Sequence, residues 1–156
     1  MKAEKISHKT QTVKLTLNNI DQCIDLDITT LNGLWNRKQW EKELIDPNRV
    51  CLGIIQDSEL IGICCGWIIL DHINITFFAI HPSKHRKGFG EKLLHNFMSF
   101  SKNINVKTIS LETKEGNYSA QALFKKLKFK EVSRRQKLYK DGSNAIIFNL
   151  NLSTES

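Results

Sequence analysis

Residues 74–100 read NITFFAIHPSKHRKGFGEKLLHNFMSF, and the order of residue types in this stretch decides the fold. Residues 75–80 are almost all β-branched or aromatic and carry no charge, which is typical of a buried strand. Pro82 ends the strand because proline cannot donate to a strand ladder. From Glu91 onward, apolar residues fall on one broad helical face. The stretch therefore predicts a strand, a basic loop and a helix.

The loop between the predicted strand and helix has the features of an anion-binding site. Four basic residues at 84–87 precede Gly88 and Gly90. Glycine lets the backbone approach a ligand closely, and the helix start offers unpaired N–H groups at the positive end of its dipole. This combination predicts phosphate binding. A P-loop is excluded because Glu91 follows Gly90, and a Rossmann fingerprint because Leu93 replaces its third glycine. A plain strand-to-helix turn with a solvated basic loop is the alternative interpretation.

Length and composition indicate a single domain. The chain has 156 residues, of which 40% are hydrophobic and 25% charged. We expect a flexible tail at 1–12, one domain at 13–152 and a frayed tail at 153–156. The longest apolar run, 61–70, is shorter than the roughly 20 residues of a membrane span, so no membrane association is expected. The net charge of +7 favours anionic partners, which include a phosphorylated cofactor, an acidic peptide and a ribonucleoprotein surface.

The cysteines and histidines predict no metal site. Adjacent Cys64 and Cys65 point to opposite faces of a strand, so they do not have the spacing of metal ligands. The five histidines show no zinc-binding pattern. Both cysteines lie inside an apolar strand, where a free thiol behaves as a small hydrophobic group. A reducing cytoplasm is the simplest setting for the four cysteines of the chain.

Hydrophobic periodicity and turn residues divide the chain into about seven strands and four helices. The predicted strands are 12–16, 50–55, 60–70, 75–80, 106–112, 128–139 and 145–152. The predicted helices are 21–31, 36–45, 91–100 and 119–127. This order predicts an α/β (α+β) fold in which helices flank a mixed, mostly antiparallel twisted sheet. The strand–helix–strand unit at 74–112 is expected to cross over right-handedly and to pair in parallel.

Three ordered motifs resemble the GNAT superfamily of N-acetyltransferases. Residues 85–90, HRKGFG, are similar to its Arg/Gln-x-x-Gly-x-Gly/Ala motif, with histidine at the first position. Residues 111–129 resemble its Leu-Glu-Val … Asn … Ala-Leu-Tyr … Leu-Gly-Phe run, and residues 138–145 its Tyr-Tyr-x-x-Gly-Glu-Asp-Ala stretch. The resemblance covers about residues 13–150 and is greatest to the bacterial ribosomal-protein alanine acetyltransferases. It implies the GNAT fold.

The resemblance also implies two binding regions. Acetyl-CoA is the implied co-substrate, and the residues that hold it are Phe78, Ala79, Ile80, His85, Arg86, Lys87, Gly88, Phe89, Gly90 and Asn117. Residues 78–80 act through their backbone, which holds the pantetheine arm, while their side chains belong to the core. The implied acceptor-binding residues are Trp35, Trp40 and Tyr139, which suit a peptide groove. No metal is expected.

The expected reaction is direct attack of a neutral amine on the acetyl-CoA thioester. The amine must lose a proton near pH 7, and the resemblance implies Glu112 as the base; a surface carboxylate is the alternative interpretation. A strand amide is the expected donor to the tetrahedral oxyanion. At Phe124 the family often has tyrosine, the acid for the leaving thiolate, and phenylalanine cannot donate a proton. Tyr139 is the best remaining hydroxyl, and a peptide-positioning role is its alternative.

These features predict an acetyl-CoA-dependent N-acetyltransferase that modifies a protein N-terminal α-amine, with a ribosomal protein as the implied acceptor. A small-molecule amine acetyltransferase is the first alternative. A non-catalytic CoA-binding module, suggested by Phe124 and His85, is the second. We expect a monomer or weak dimer in the cytoplasm. Direct binding of nucleic acid is not expected, although the basic surface leaves it open.

Overall fold

The computed structural model describes residues 9–136 and 140–154, and within them seven strands and four helices follow one another in the predicted order. The strands are β1 Thr10–Lys14, β2 Arg49–Gln56, β3 Glu59–Ile69, β4 His72–Ile80, β5 Thr108–Lys114, β6 Lys130–Arg135 and β7 Ala145–Asn151. The helices are α1 Ile20–Leu31, α2 Arg37–Ile45, α3 Phe89–Asn103 and α4 Tyr118–Lys126.

The strands of the described residues form one sheet, in the order β1-β2-β3-β4-β5-β7-β6. β4 and β5 pair in parallel, with His72 opposite Thr108 and Asn74 opposite Ser110. Every other neighbouring pair in the described residues is antiparallel. The predicted mixed, mostly antiparallel sheet is confirmed, and so is the parallel pairing of the strand–helix–strand unit.

Two strands begin two or more residues earlier than their sequence patterns predict. β1 begins at Thr10, so the end of the predicted N-terminal tail pairs with β2. β4 begins at His72 rather than at residue 75, because the chain already reverses at Leu70, whose φ is 56°. The His72 ring then binds the hydroxyl groups of Thr108 and Ser110 on β5. These side-chain bonds hold His72 in the sheet and explain the difference.

Helices cover both faces of the sheet and form two hydrophobic cores. The core under α3 and α4 includes Ile73, Leu93, Phe97, Ile109 and Phe148. The core under α1 and α2 includes Cys23, Leu26, Trp40, Cys65 and Phe77. On the α1–α2 face, Trp67 and Ile69 at the end of β3 remain 41% and 46% exposed. Part of this face, beside the β4–β5 pair, is therefore open.

A β-bulge at Thr76 changes the face to which the side chains of β4 point. Before the bulge, Ile75 faces the α3–α4 core, and after it Phe77 faces the α1–α2 core. On β3, Gly66 lies opposite Ile75 and the adjacent Cys65 lies opposite Phe77, so Thr76 is the extra residue. Bulges re-aim side chains in this way and are frequent beside active sites. As a result, one strand contributes side chains to both cores.

Candidate active site

A cleft opens between β4 and β5 towards their carboxyl ends. The two strands pair through residues 72–74 and 108–110, and both continue beyond this ladder without further pairing between them in the described residues. β4 stays paired with β3 up to Ile80. The edge of residues 75–80 that faces β5 therefore has N–H and C=O groups available to a ligand that lies along the strand.

The loop at the end of β4 presents backbone N–H groups to an anion. Arg86 and Gly88 both adopt left-handed backbone conformations, with φ of 61° and 83°. Gly88 is the N-cap of α3, whose first turn has unpaired N–H groups and the positive end of the helix dipole. A Cβ added at Gly88 would meet no described atom within 4 Å, so the space in front of this glycine is open. These features fit a diphosphate group.

The side chains of this loop have distinct roles. Arg86 and Lys87 are exposed and add positive charge to the loop. Phe89 is half-buried and packs against the α3–α4 core, so its side chain anchors the start of α3. His85 donates from Nε2 to the carbonyl oxygen of Ile80 at 2.8 Å, which ties the loop to the end of β4. Only Nδ1 of this ring therefore remains available to contact a cofactor.

Residues 78–80 lie along the free edge of β4. The side chains of Phe78 and Ile80 pack against the α3–α4 core, and that of Ala79 belongs to the α1–α2 core. Their side chains are therefore structural, as the sequence predicts. Only backbone groups of these three residues face β5 across the cleft.

Glu112 and Asn117 lie on the β5 side of the cleft. Glu112 is exposed and shares a face of β5 with Ser110, the last residue that pairs with β4. This is the α1–α2 face, because the intervening Leu111 belongs to the α3–α4 core. Asn117 is the N-cap of α4, and its Oδ1 accepts from the backbone N–H of Ala120 at 3.2 Å. The cap uses the amide oxygen and leaves the amide N–H₂ group for other contacts.

Phe124 is a residue of the α3–α4 core. It is 3% exposed, and its ring centroid lies 6.2 Å from that of Phe78, 6.1 Å from that of Phe129 and 5.6 Å from that of Phe148. None of these four side chains carries a proton donor, so this position supplies no acid. Tyr139, the predicted alternative, lies outside the described residues.

A buried carboxylate that the sequence analysis misses organises the region between α1 and α2. Asp27 is 0% exposed and accepts three hydrogen bonds at 2.8, 3.0 and 2.9 Å. The donors are the backbone N–H groups of Leu34 and Trp35 and the indole N–H of Trp40. These bonds fix the loop between the two helices. The sequence does contain a sign of this buried role, because Asp27 lies on the apolar face of a predicted helix, next to Leu26.

The two tryptophans predicted to contact the acceptor have different surroundings. Trp40 is 0% exposed, which corrects its predicted role: a fully enclosed ring supports the groove but does not touch a ligand. Trp35 is half-buried, and its ring centroid lies 4.8 Å from that of Trp40 and 5.1 Å from that of Phe77 on β4. Of the two, Trp35 alone has surface available to an acceptor.

A pocket of about 180 Å³ opens between α2 and the start of β2. Its lining residues are Trp35, Gln39, Lys42, Glu43 and Arg49. Glu43 is 5% exposed and forms an ion pair with Arg49. Burial raises the pKa of Glu43, and this effect outweighs the opposing attraction of the Arg49 charge. This pocket adjoins Trp35 on the acceptor side of the cleft.

The four cysteines are buried and free. Burial raises the pKa of Cys23 to about 12, and it raises the pKa values of Cys64 and Cys65 well above that of an ordinary thiol. Because the thiolate is the nucleophilic form, these three are unsuited to carry an acetyl group. Within the described residues, no three metal-ligating side chains lie close enough to hold an ion. In the same part of the chain, no helix has the length and apolar character of a membrane span.

Known proteins share this sequence pattern and this fold. The family model for "Acetyltransferase (GNAT) family" matches residues 20–129, which include the loop, Glu112 and Asn117. A protein of Bacillus subtilis (strain 168), provisionally named a ribosomal protein bS18-alanine N-acetyltransferase, is 30% identical over 135 residues. The alignment covers 85% of this chain and 89% of that protein.

Two crystal structures share the fold along nearly the whole chain. The ribosomal-protein-S18-alanine N-acetyltransferase from Escherichia coli has a TM-score of 0.87 at 22% identity, and 95% of this chain and 97% of that chain are covered. Arabidopsis thaliana NAA60 in complex with acetyl-CoA has a TM-score of 0.85 at 13% identity, with 93% and 99% covered. The cleft therefore lies in a fold that holds acetyl-CoA in another protein.

Proposed function

This chain belongs to the acetyltransferase (GNAT) family and uses acetyl-CoA as its acetyl donor, and from this premise we propose that its acceptor is a protein N-terminal α-amine. The observation that carries the proposal is the similarity to the Bacillus subtilis relative, which extends over 85% of this chain. That protein and the Escherichia coli protein of the same fold are both named for an alanine of a ribosomal protein. We therefore propose a ribosomal protein as the acceptor.

Acetyl-CoA is proposed to bind mainly through backbone groups of this chain. The N–H groups of residues 86–90 suit its pyrophosphate, because a left-handed turn and a helix start direct them to one space. The free edge of residues 78–80 suits the amide groups of the pantetheine arm. Asn117 offers its amide N–H₂ group from the β5 side. When bound, acetyl-CoA supplies the thioester carbonyl that the acceptor attacks.

Glu112 is the proposed general base. Its exposed carboxylate lies at the edge of the cleft on the α1–α2 face, from which an acceptor can approach. The acceptor nitrogen must lose a proton before it forms the new C–N bond, and Glu112 takes this proton directly or through water. A backbone N–H of residues 78–80 stabilises the oxyanion until the C–S bond breaks. The departing thiolate is then protonated by Tyr139 or by solvent, because Phe124 has no proton to give.

The acceptor side of the cleft has the extent that a peptide needs. Trp35 offers part of its ring, and the open strip of the sheet at Trp67 and Ile69 continues the surface. A small amine would leave this surface unused. Tyr139, in the β6–β7 connection, is proposed to position the peptide as well.

We also propose that the protein acts as one domain in the cytoplasm, as a monomer or weak dimer. Its four buried free cysteines suit a reducing compartment. Sedimentation equilibrium at micromolar concentration measures the oligomeric state, and a tight dimer would contradict this part of the proposal.

Acetylation assays with three classes of acceptor test the function. The acceptors are a peptide with the N-terminal sequence of ribosomal protein bS18, a polyamine and an amino sugar. We expect acetylation of the peptide α-amine, identified by mass spectrometry, and much slower reaction of the other two. Faster acetylation of the polyamine or amino sugar would assign the chain to the small-molecule enzymes. CoA binding with no acetylation of any acceptor would indicate a non-catalytic module.

Glu112→Gln tests the proposed base. We expect kcat for the peptide to fall about 10²–10⁴-fold while the affinity for acetyl-CoA stays the same. Glu131→Gln is the matched control. Glu131 is also an exposed carboxylate on a strand, but it lies opposite Phe148 and therefore on the α3–α4 face, whereas Glu112 lies on the α1–α2 face. Equal rates in wild type and Glu112→Gln would exclude Glu112 as the base.

Tyr139→Phe tests the proposed acid separately. If Tyr139 protonates the thiolate, the variant should lose turnover in a pH-dependent way. If Tyr139→Phe turns over as fast as the wild type at every pH, Tyr139 is not the acid, and peptide positioning remains as the proposed function of its side chain.

A further inference from the structure

A chain of hydrogen bonds links four half-buried side chains of β4 and β5 beside the cleft. Ser110 donates from Oγ to Oδ1 of Asn74 at 3.0 Å. Because the Ser110 proton is used in this bond, His72 must donate to the Ser110 oxygen from Nε2, at 2.8 Å. In a neutral ring that carries its proton on Nε2, Nδ1 accepts from the Thr108 hydroxyl, at 2.6 Å. Each bond direction follows from the previous one.

The bond from Ser110 sets the orientation of the Asn74 carboxamide. Its oxygen points to Ser110, so its N–H₂ group points away from Ser110. Within the described residues this nitrogen has no hydrogen-bond partner, and it is not one of the enclosed side-chain atoms that lack one. The N–H₂ group therefore faces solvent on the open part of the sheet and is available to a ligand.

The distance between Asn74 and Glu112 suits an acceptor whose first residue lies between their side chains. Ser110 is directly opposite Asn74 and precedes Glu112 by two positions on the same face. Adjacent strands lie about 4.8 Å apart and two residues span about 6.6 Å, so the Cα atoms of Asn74 and Glu112 are at least about 8 Å apart where the strands begin to separate. An N-terminal residue with its amine at Glu112 can reach Asn74 with its carbonyl oxygen. Trp67, opposite Asn74 on β3, is 41% exposed, so α1 and α2 leave this approach open.

We propose that Asn74 binds the acceptor: its N–H₂ group donates a hydrogen bond to the carbonyl oxygen of the acceptor's first residue, and the Ser110–His72–Thr108 chain holds the carboxamide in that orientation. This inference rests on the proposed N-terminal acetyltransferase function. An N-terminal residue carries a carbonyl group next to its amine, whereas a polyamine has none. Asn74 therefore favours peptide acceptors over simple amines, and it takes no part in binding acetyl-CoA.

Steady-state kinetics with two matched acceptors test this proposal. The first is a peptide with N-terminal alanine, and the second is the same peptide with the first carbonyl group replaced by methylene. Asn74→Ala should raise the KM of the normal peptide about 3- to 10-fold, because one hydrogen bond is lost. It should leave the KM of acetyl-CoA and the kinetics of the methylene analogue unchanged. Ser110→Ala, which frees the carboxamide to rotate, should raise the peptide KM about 2-fold.

Asn96→Ala is the matched control. Asn96 is a half-buried asparagine of α3 whose side chain donates to Thr12 at 2.7 Å, away from the cleft. Replacement of Asn96 should change neither the KM of the peptide nor the KM of acetyl-CoA. A peptide KM that is equal in wild type and Asn74→Ala would overturn the inference but not the proposed function. Acetylation of a polyamine but of no peptide by the wild type would overturn both.

Nitrogen NMR of the His72 ring adds a measurement that needs no variant. We expect the neutral ring to carry its proton on Nε2. A proton on Nδ1 would reverse every bond in the chain and turn the Asn74 oxygen towards the acceptor. Such a result would overturn the proposed donor role of Asn74.

Discussion

The two sides of the cleft are built in different ways. On the proposed cofactor side, the groups expected to face the ligand are mainly backbone atoms of residues 78–80 and 86–90, directed by two left-handed residues and the start of α3. On the proposed acceptor side they are side chains, namely Glu112, Asn74 and Trp35. The positions of these side chains depend on contacts between elements that are distant in sequence. Local chain conformation therefore defines one side, and tertiary packing defines the other.

This difference predicts how each side responds to substitution. A site made of backbone groups depends on which φ values a residue tolerates, so glycine replacements should affect it most. A site made of side chains depends on the buried contacts that hold them, so loss of a buried polar partner should affect it most. Four tests, one of them a pair of variants, address this contrast, in decreasing order of expected effect.

Asp27→Ala should have the largest effect, on the acceptor side. The change leaves three donors without their acceptor, the N–H groups of Leu34 and Trp35 and the enclosed indole N–H of Trp40. We expect the free energy of unfolding, measured in urea, to fall by about 3–5 kcal/mol. The protein that remains folded should still bind acetyl-CoA with wild-type affinity, because none of these groups lies in the cofactor loop.

Asp27→Asn is the control for this change. Asparagine keeps one acceptor oxygen in nearly the same volume, so the loss of stability should be about half as large. Equal urea midpoints for wild type and Asp27→Ala would show that this carboxylate does not organise the α1–α2 region.

Gly88→Ala and Gly142→Ala form a matched pair. The two glycines have φ of 83° and 82°, and a Cβ on either would meet no described atom within 4 Å. Both changes should therefore lower the free energy of unfolding by about 1–2 kcal/mol, the cost of a left-handed alanine. Only Gly88→Ala should raise the KM of acetyl-CoA, by about 10-fold, because the strain shifts the N–H groups of the loop.

Gly142 lies in the β6–β7 connection, as does Tyr139, which is proposed to position the peptide. Replacement of Gly142 should therefore act on the acceptor side alone. We expect a higher peptide KM and an unchanged acetyl-CoA KM for Gly142→Ala. If both variants change the same KM, the division of the cleft into two independently built sides is wrong.

The backbone geometry of the proposed cofactor side could be predicted from sequence because its determinants are local. The order of strand, basic loop, paired glycines and helix lies within residues 74–100, and each residue type there has a backbone consequence of its own. The left-handed conformation of Gly88 and the N-terminus of α3 follow directly. Even here, the bond from His85 to the Ile80 carbonyl was missed, since a basic residue in a loop gives no sign of its partner.

The acceptor side could be predicted only in part, because its determinants are tertiary. Trp35 and Trp40 look alike in sequence, yet burial against Asp27 and Phe77 removes Trp40 from the surface. The bulge at Thr76 leaves no clear trace in an apolar strand, although it decides which β4 side chains face the acceptor. Residue pairing across β4 and β5 was likewise needed to identify Asn74.

His85→Ala should have a smaller effect, on the cofactor side. The loss of one hydrogen bond from an exposed ring should loosen the loop and raise the KM of acetyl-CoA about 2- to 3-fold. His85→Gln keeps an N–H donor at this position and should behave like the wild type. His95→Ala is the negative control, because His95 is an exposed histidine on α3. A change in the peptide KM alone would contradict the role assigned to His85.

The smallest expected effect is a pH dependence of stability that arises at Glu43. Burial raises the pKa of Glu43 more than the Arg49 charge lowers it. Between the ordinary glutamate pKa of 4.5 and the raised value, the folded protein binds more protons than the unfolded chain, so the free energy of unfolding falls as pH rises. The wild type should therefore gain stability relative to Glu43→Gln as the pH is lowered from 7 to 4.5. Urea unfolding of both proteins across this range measures the difference.

Glu41→Gln on the exposed side of the same helix is the control, and it should show no such trend relative to the wild type. The opposite sign for Glu43→Gln, with the advantage of the wild type growing as pH rises, would mean that the ion pair with Arg49 outweighs burial. Glu43 would then hold α2 against β2 as a stabilised carboxylate, in the way that Asp27 holds the α1–α2 loop. Either sign is a property of the proposed acceptor side, because Glu43 and Trp35 line the same pocket.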